Sequence, residues 1–225
     1  MFVRGLHMRV SANYGGNFSI KESAERDFLT CGLAMRIHNN VAGLVAQFAH
    51  AQGNKEAANF ARQGAEASKN QDWDKAIDLF RKATDRDRKF APNLAVAYQQ
   101  RGFAAANDQK FEDAIRDFGE AIKINSRDAR IYEQRAAVEM KMHDYDKALA
   151  DYSEAIKIKP NDVRYYLYRS YIYEMKGDVQ ASMADTEKAL KLDPKNAEAT
   201  SRKTRLEARQ SEAPPTVNSP QPKSP

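Results

Sequence analysis

Among the side chains that carry chemistry, the histidines come first, and this chain has four: His7, His38, His50 and His143. They stand alone, with no pair at the i, i+4 spacing that lets one helix face hold zinc. The single cysteine, Cys31, has no neighbouring histidine and reads as a small buried residue. One cysteine excludes an internal disulfide framework and a multi-cysteine metal site. No glycine-rich phosphate loop, nucleophile elbow or kinase signature occurs. The abundant carboxylates are distributed like a solvated helix face. The expectation is therefore no catalytic residue, no cofactor and no metal, with enzymatic activity unsupported.

Charge leads to the same place. The formal net charge is +5, but residues 57–196 hold 25 Lys/Arg against 24 Asp/Glu and the excess lies toward the two ends. A nucleic-acid groove needs basic residues gathered on one surface, so nucleic acid is an unlikely partner. No stretch approaches the roughly 18–20 apolar residues of a membrane-spanning helix.

The elements are set by an internal period. A shift of 34 residues aligns Tyr98, Tyr132 and Tyr166, then Gly102, Ala136 and Ser170, then Ala114, Ala148 and Ser182, then Ala121, Ala155 and Ala189. Phe111 and Phe118 recur as Tyr145 and Tyr152, with Val179 and Thr186 in the last copy. An earlier copy, through Phe60, Gly64, Trp73, Ala76, Phe80 and Ala83, stands 38 residues upstream, so its connection over Asp87–Leu94 carries four extra residues. Each unit reads as two helices. Tyr98 and Gly102 share one face of the first, and Ala114, Phe118 and Ala121 form the stripe of a half-buried second. Gly177 suits a left-handed turn, Pro160 and Pro194 stop helices, and Asp162 and Asn196 follow as N-caps. Small residues let helices approach closely while a ring one turn away fills the flanking space.

This pattern resembles the tetratricopeptide repeat family, over about Ala57–Asn196. The departures are Ser182 and Thr186 in the fourth copy, and Arg88 and Ser126 where a closing proline stands in the family. The resemblance implies an all-α fold: an α-solenoid of stacked helix-turn-helix repeats, a right-handed superhelix whose concave face is lined by the first helix of each unit. The units run 57–90, 95–128, 129–162 and 163–196. Residues 197–210, rich in Lys and Arg with Leu206 the one large apolar residue, form a C-terminal capping helix. Residues 211–225, with five prolines, form a disordered tail.

Residues 1–56 are an N-terminal extension with three readings. One is a packed helix, a degenerate further repeat through Phe28, Gly32, Leu44, Phe48 and Ala51. Another is a signal-like segment over Met35–Ala51, ending in Ala49-His50-Ala51, which implies export. The third is disorder. Localisation is cytoplasmic by default and exported or periplasmic under the second reading.

The family's concave positions fall here on Val96, Gln99, Gln100, Phe103 and Asn107; on Arg130, Glu133, Gln134, Met140 and Lys141; and on Arg164, Leu167, Tyr168, Tyr171 and Met175. The resemblance implies a groove for a partner peptide, with Arg130 and Arg164 available to carboxylates and Tyr168 the ring that could instead pack between repeats. Family members that grip acidic chaperone tails use Lys and Asn in one unit, Asn in the next, then Lys and Arg. This chain offers Ala61 and Ala65, Gln100, Arg130 and Gln134, or one unit later Gln99 and Phe103, Gln134, Arg164 and Tyr168, so that clamp is expected to be absent. Arg101, Arg135 and Arg169 recur in step with Asp117, Asp151 and Asp185, which predicts an exposed Arg–Asp contact between the two helices of a unit. The function expected is a non-enzymatic scaffold or adaptor. The alternatives are a nucleic-acid-associated helical repeat and a non-catalytic subunit of an enzyme or assembly complex.

Overall fold

The computed structural model describes residues 30–212, and the readings for residues 1–29 and for the tail from 213 onward lie outside them. Two compact units divide the chain, Met1–His50 and Ala51–Pro225. The described elements are all helical: α1 (Thr30–Lys69), α2 (Trp73–Arg86), a 3-10 turn (Arg88–Phe90), α3 (Ala91–Asn107), α4 (Phe111–Ile124), α5 (Ala129–Lys141), α6 (Tyr145–Ile158), α7 (Val163–Met175), α8 (Val179–Leu192) and α9 (Ala197–Glu212). Among the described residues no helix is long and apolar enough to cross a membrane.

The first correction concerns α1. With no proline between Thr30 and Lys69, the helix runs unbroken through Gly32, Leu44 and Ala51, so no two-helix degenerate repeat forms there. A helix over Met35–Ala51 is common to the packed and the signal-like readings. The second concerns the four inserted residues near Asp87–Leu94, which do not form a longer loop. Pro92 sits in the first turn of a helix, where its missing N–H costs nothing, and α3 has 17 residues where α5 and α7 have 13. The insertion is one extra helical turn. The third is small: α9 runs through Ser211 and Glu212, two residues beyond Gln210.

From the C-terminal half of α1 onward, helices pack in consecutive pairs, and the pairs stack on one another. The small residues explain the closeness. A Cβ built on Gly64 would stand 3.0 Å from the Phe80 ring, and one on Gly102 would stand 3.1 Å from the Phe118 ring and 3.2 Å from the Ala114 carbonyl oxygen. In the third unit Ala136 and Tyr152 occupy the same places, both buried. The fourth unit solves the problem differently. Ser170, Ser182 and Thr186 are fully buried, and their hydroxyls are satisfied: Ser182 donates to the Ser170 carbonyl at 2.9 Å, Thr186 donates to the Ser182 carbonyl at 2.8 Å, and the Ser170 and Thr186 hydroxyls meet at 2.7 Å. The departures from the repeat pattern thus replace a ring contact with a closed polar network.

Turns and caps repeat with the same period. Gly177 takes φ +80°, and the equivalent turn residues Gln71, Gln109 and His143 also lie in the left-handed region. Asp128 and Asp162 accept from the backbone N–H of Arg130 and Arg164, and Asn196 caps α9 by accepting from Ala199 at 3.0 Å.

The recurring Arg–Asp pairs form as read but are not exposed. Arg101 donates Nε and Nη2 to Asp117, Arg135 to Asp151 and Arg169 to Asp185, each fork at 2.7–2.8 Å. Asp117 is 2% exposed. Each pair ties the two helices of its unit, and Arg101 and Arg169 also reach the preceding unit through Asp74 and Ser153.

Candidate functional site

The first helices α3, α5, α7 and α9 stand side by side. Gln99 of α3 donates to the Gln134 amide oxygen of α5 at 2.5 Å, Arg164 of α7 lies 3.5 Å from Glu133 of α5, and Arg205 of α9 donates twice to Glu174 of α7 at 2.8 and 2.9 Å. Along this row lie all the exposed large hydrophobic side chains among residues 51–211, where side-chain exposure is described: Val96, Phe103, Tyr168, Tyr171 and Met175, each 42–53% exposed. Every one is a position read as concave from the sequence. Elsewhere in residues 51–211 the Phe, Tyr, Trp, Leu, Ile and Val side chains are buried or half-buried, so this clustering marks a surface left open rather than a scatter of stray apolar residues.

At one end of the row a cleft of about 390 Å³ is lined by Met140 of α5, Tyr152 of α6, Tyr168, Tyr171 and Ile172 of α7, and Glu198 and Arg202 of α9. Tyr168 is not lost between repeats. One side of its ring lies against Tyr152, centroids 5.4 Å apart, while the rest stays accessible. Arg202 stands 5.5 Å from the Tyr171 ring, donates to the Leu167 carbonyl at 2.6 Å and to Glu198 at 2.8 Å.

Other sequence-derived positions change role. Leu167 is buried under α9, in a cluster with Tyr166, Ala189 and Ala199, so it supports the floor and offers no contact. Gln99 occupies the same register place and is likewise buried, its amide spent on Gln134. Arg130 and Arg164 are not free for a ligand's carboxylates. Arg130 donates Nε and Nη2 to Asp128 at 3.1 and 2.9 Å, and Arg164 does the same to Asp162 at 3.0 and 2.8 Å. These bonds hold both aspartates below their ordinary range and both arginines above theirs. The same aspartates cap the helices, and a cap two residues before an arginine at the second helical position places fork against carboxylate. Gln100 and Asn107 remain exposed, and Lys141 is exposed with its amine 5.8 Å over the Phe111 ring.

The two charged cleft residues went unread in the sequence. Arg202 lies 34 residues after Tyr168 and 68 after Gln134, and Glu198 lies 34 after Arg164. They hold concave positions of a fifth first helix, and continuing the period beyond Asn196 finds them. Elsewhere, Glu139 is 3% exposed, its Oε2 has no hydrogen-bond partner, and burial together with the Asp151 charge pushes its pKa up to about 7.

Family models described as tetratricopeptide repeat match residues 129–162 and 163–196. Among solved structures the chain is similar to a tetratricopeptide repeat protein from Parabacteroides merdae, at 17% identity and TM-score 0.54 over 70% of this chain and 61% of that one. It is similar to the MamA protein, at 16% identity and TM-score 0.53 over 70% of this chain and 84% of that one. A third similar structure is the TPR domain of Arabidopsis OM64, at 28% identity and TM-score 0.48 over 52% of this chain and 98% of that one. No curated protein matches the chain.

Proposed function

From a chain that belongs to the tetratricopeptide repeat family, and is therefore a protein–protein interaction module, we propose a non-enzymatic scaffold that holds a partner's peptide segment along its row of first helices. The observation that carries this reading is the confinement of the exposed large apolar side chains of residues 51–211 to that row. A solvent-facing helix gains nothing from Phe103, Tyr171 and Met175 in water. Each is already about half covered, so burying the rest against a partner is worth about 1 kcal/mol before ordering costs, and aromatic rings beside a methionine suit an adaptable interface.

The test is capture with full-length protein carrying Phe103→Ala and Tyr171→Ala together, set beside a variant altered on the opposite side at Glu187 and Lys188. Partners retained by wild type and by the second variant are expected to be lost from the first. If the double alanine variant captures the same partners at the same yield, the groove is not the binding surface.

A further inference from the structure

We infer that two copies of this chain pair through the N-terminal half of α1, along the face that carries Ala34, Ile37, Val41, Leu44, Phe48 and Ala51. These six stand at alternating intervals of three and four residues, the seam of paired helices, and every place on the seam is apolar. The repeats have no use for this stretch of helix. α1 has 40 residues, where α3 has 17 and α5 and α7 have 13. Nor is the seam the face that the repeat core takes. On α1 the core takes Ala57, Gly64 and Ala67, all buried. Carried forward at the same spacing, the seam passes through Lys55, Ala58 and Arg62, all exposed and about half a turn round the helix.

Composition and order make a second copy the occupant. Between Arg36 and Lys55 there is no Asp, Glu, Lys or Arg, in a chain of which 30% is charged. The places flanking the seam hold His38, Asn40, Val45, Gln47 and Gln52. A copy therefore meets no like charge across the seam, and a partner chosen by charge finds nothing there to select it. The sizes run small, four large, small, an order that reads the same in both directions. Small meets small and large meets large whichever way the two copies run. The seam covers about 26 Å of helix, short for a coiled coil, so the pair forms and separates by mass action. Pairing gives one assembly two grooves.

Sedimentation equilibrium of the full-length chain tests this, with intact mass confirming that residues 1–50 are present. Between about 1 and 200 μM the weight-average mass is expected to rise from 25.4 kDa toward twice that value. Val41→Glu with Leu44→Glu sets like charges in the seam and is expected to hold the mass at 25.4 kDa throughout. Ala42→Glu with Ala46→Glu places the same two charges half a turn away and is expected to pair as the wild type does. Circular dichroism and the melting temperature of the repeats confirm that each variant is folded. A monomer at every concentration, a mass that climbs past twice 25.4 kDa, a pair that survives Val41→Glu with Leu44→Glu, or a mature chain that begins at Gln52 in its own cell overturns the inference.

Discussion

Asp151 is 4% exposed and accepts both bonds of the Arg135 fork, which gives a single carboxylate two jobs. It joins α5 to α6, and it neutralises a guanidinium that has little access to water. Asp151→Ala leaves that guanidinium half-buried with Glu139 Oε1, 4.0 Å away, as its nearest acid. The expected loss is about 2–4 kcal/mol, far more than the 0–1 kcal/mol of an exposed pair. Replacing both partners by apolar residues of similar size should cost less than the single change. Urea denaturation of both variants and the wild type measures the difference. A loss below about 0.5 kcal/mol for Asp151→Ala means that the pair is solvated and only decorative.

At the scale of the element, two changes separate the turns from the cap. Gln109 holds φ +61° between α3 and α4, a conformation that costs an L side chain about 1 kcal/mol and glycine nothing. Gln109→Gly is therefore expected to raise stability by about 0.5–1 kcal/mol, a rise in denaturation midpoint with unchanged slope. Leu206 is fully buried on α9, and Leu206→Ala should cost about 2–5 kcal/mol, seen first as faster amide exchange in α9. Exchange unchanged in α9 means that the helix is not held by that side chain. These elements also show where legibility stopped. The 34-residue spacing of small residues and rings reveals helix pairs because close packing tolerates few alternatives at those places. It does not reveal that four inserted residues extend α3, since Asp87–Leu94 carries proline and no glycine signal, and proline reads alike as loop and as first turn. Gln109 and His143 give no sign of a left-handed turn, because the neighbouring helices impose that backbone on them. In the groove, side-chain type and register located Phe103, Tyr171 and Met175, but whether Arg130 and Arg164 were free depended on a cap aspartate two residues away taking a second bond.

The molecule as a whole draws its stability from contacts between neighbouring helices, so opposing protonation events in different units add into one pH profile. Asp128, Asp162 and Glu174 are held below their ordinary range by Arg130, Arg164 and Arg205. Their contribution is present above the unfolded-state values near 4 and is lost as pH falls through the lower folded ones. Glu139 has the opposite sign. Burial and the Asp151 charge raise it to about 7, while Arg135 and Lys147 oppose the rise and Asp144 adds to it. At pH below about 4.5 it is protonated in both states and costs nothing; as pH rises toward 7 the folded state keeps a proton that the unfolded chain releases, and stability declines. The sum is a maximum at about pH 5, with an acid limb from the three Arg-bound carboxylates and a decline of about 1–3 kcal/mol up to pH 7 from Glu139. Glu139→Gln removes the second slope and leaves the first, so melting temperatures of wild type and variant are expected to converge below about pH 5 and to diverge above it, the variant being more stable at neutral pH. Parallel curves for the two proteins from pH 5 to 7 mean that Glu139 is ionised throughout, and that water reaches a carboxylate the fold encloses.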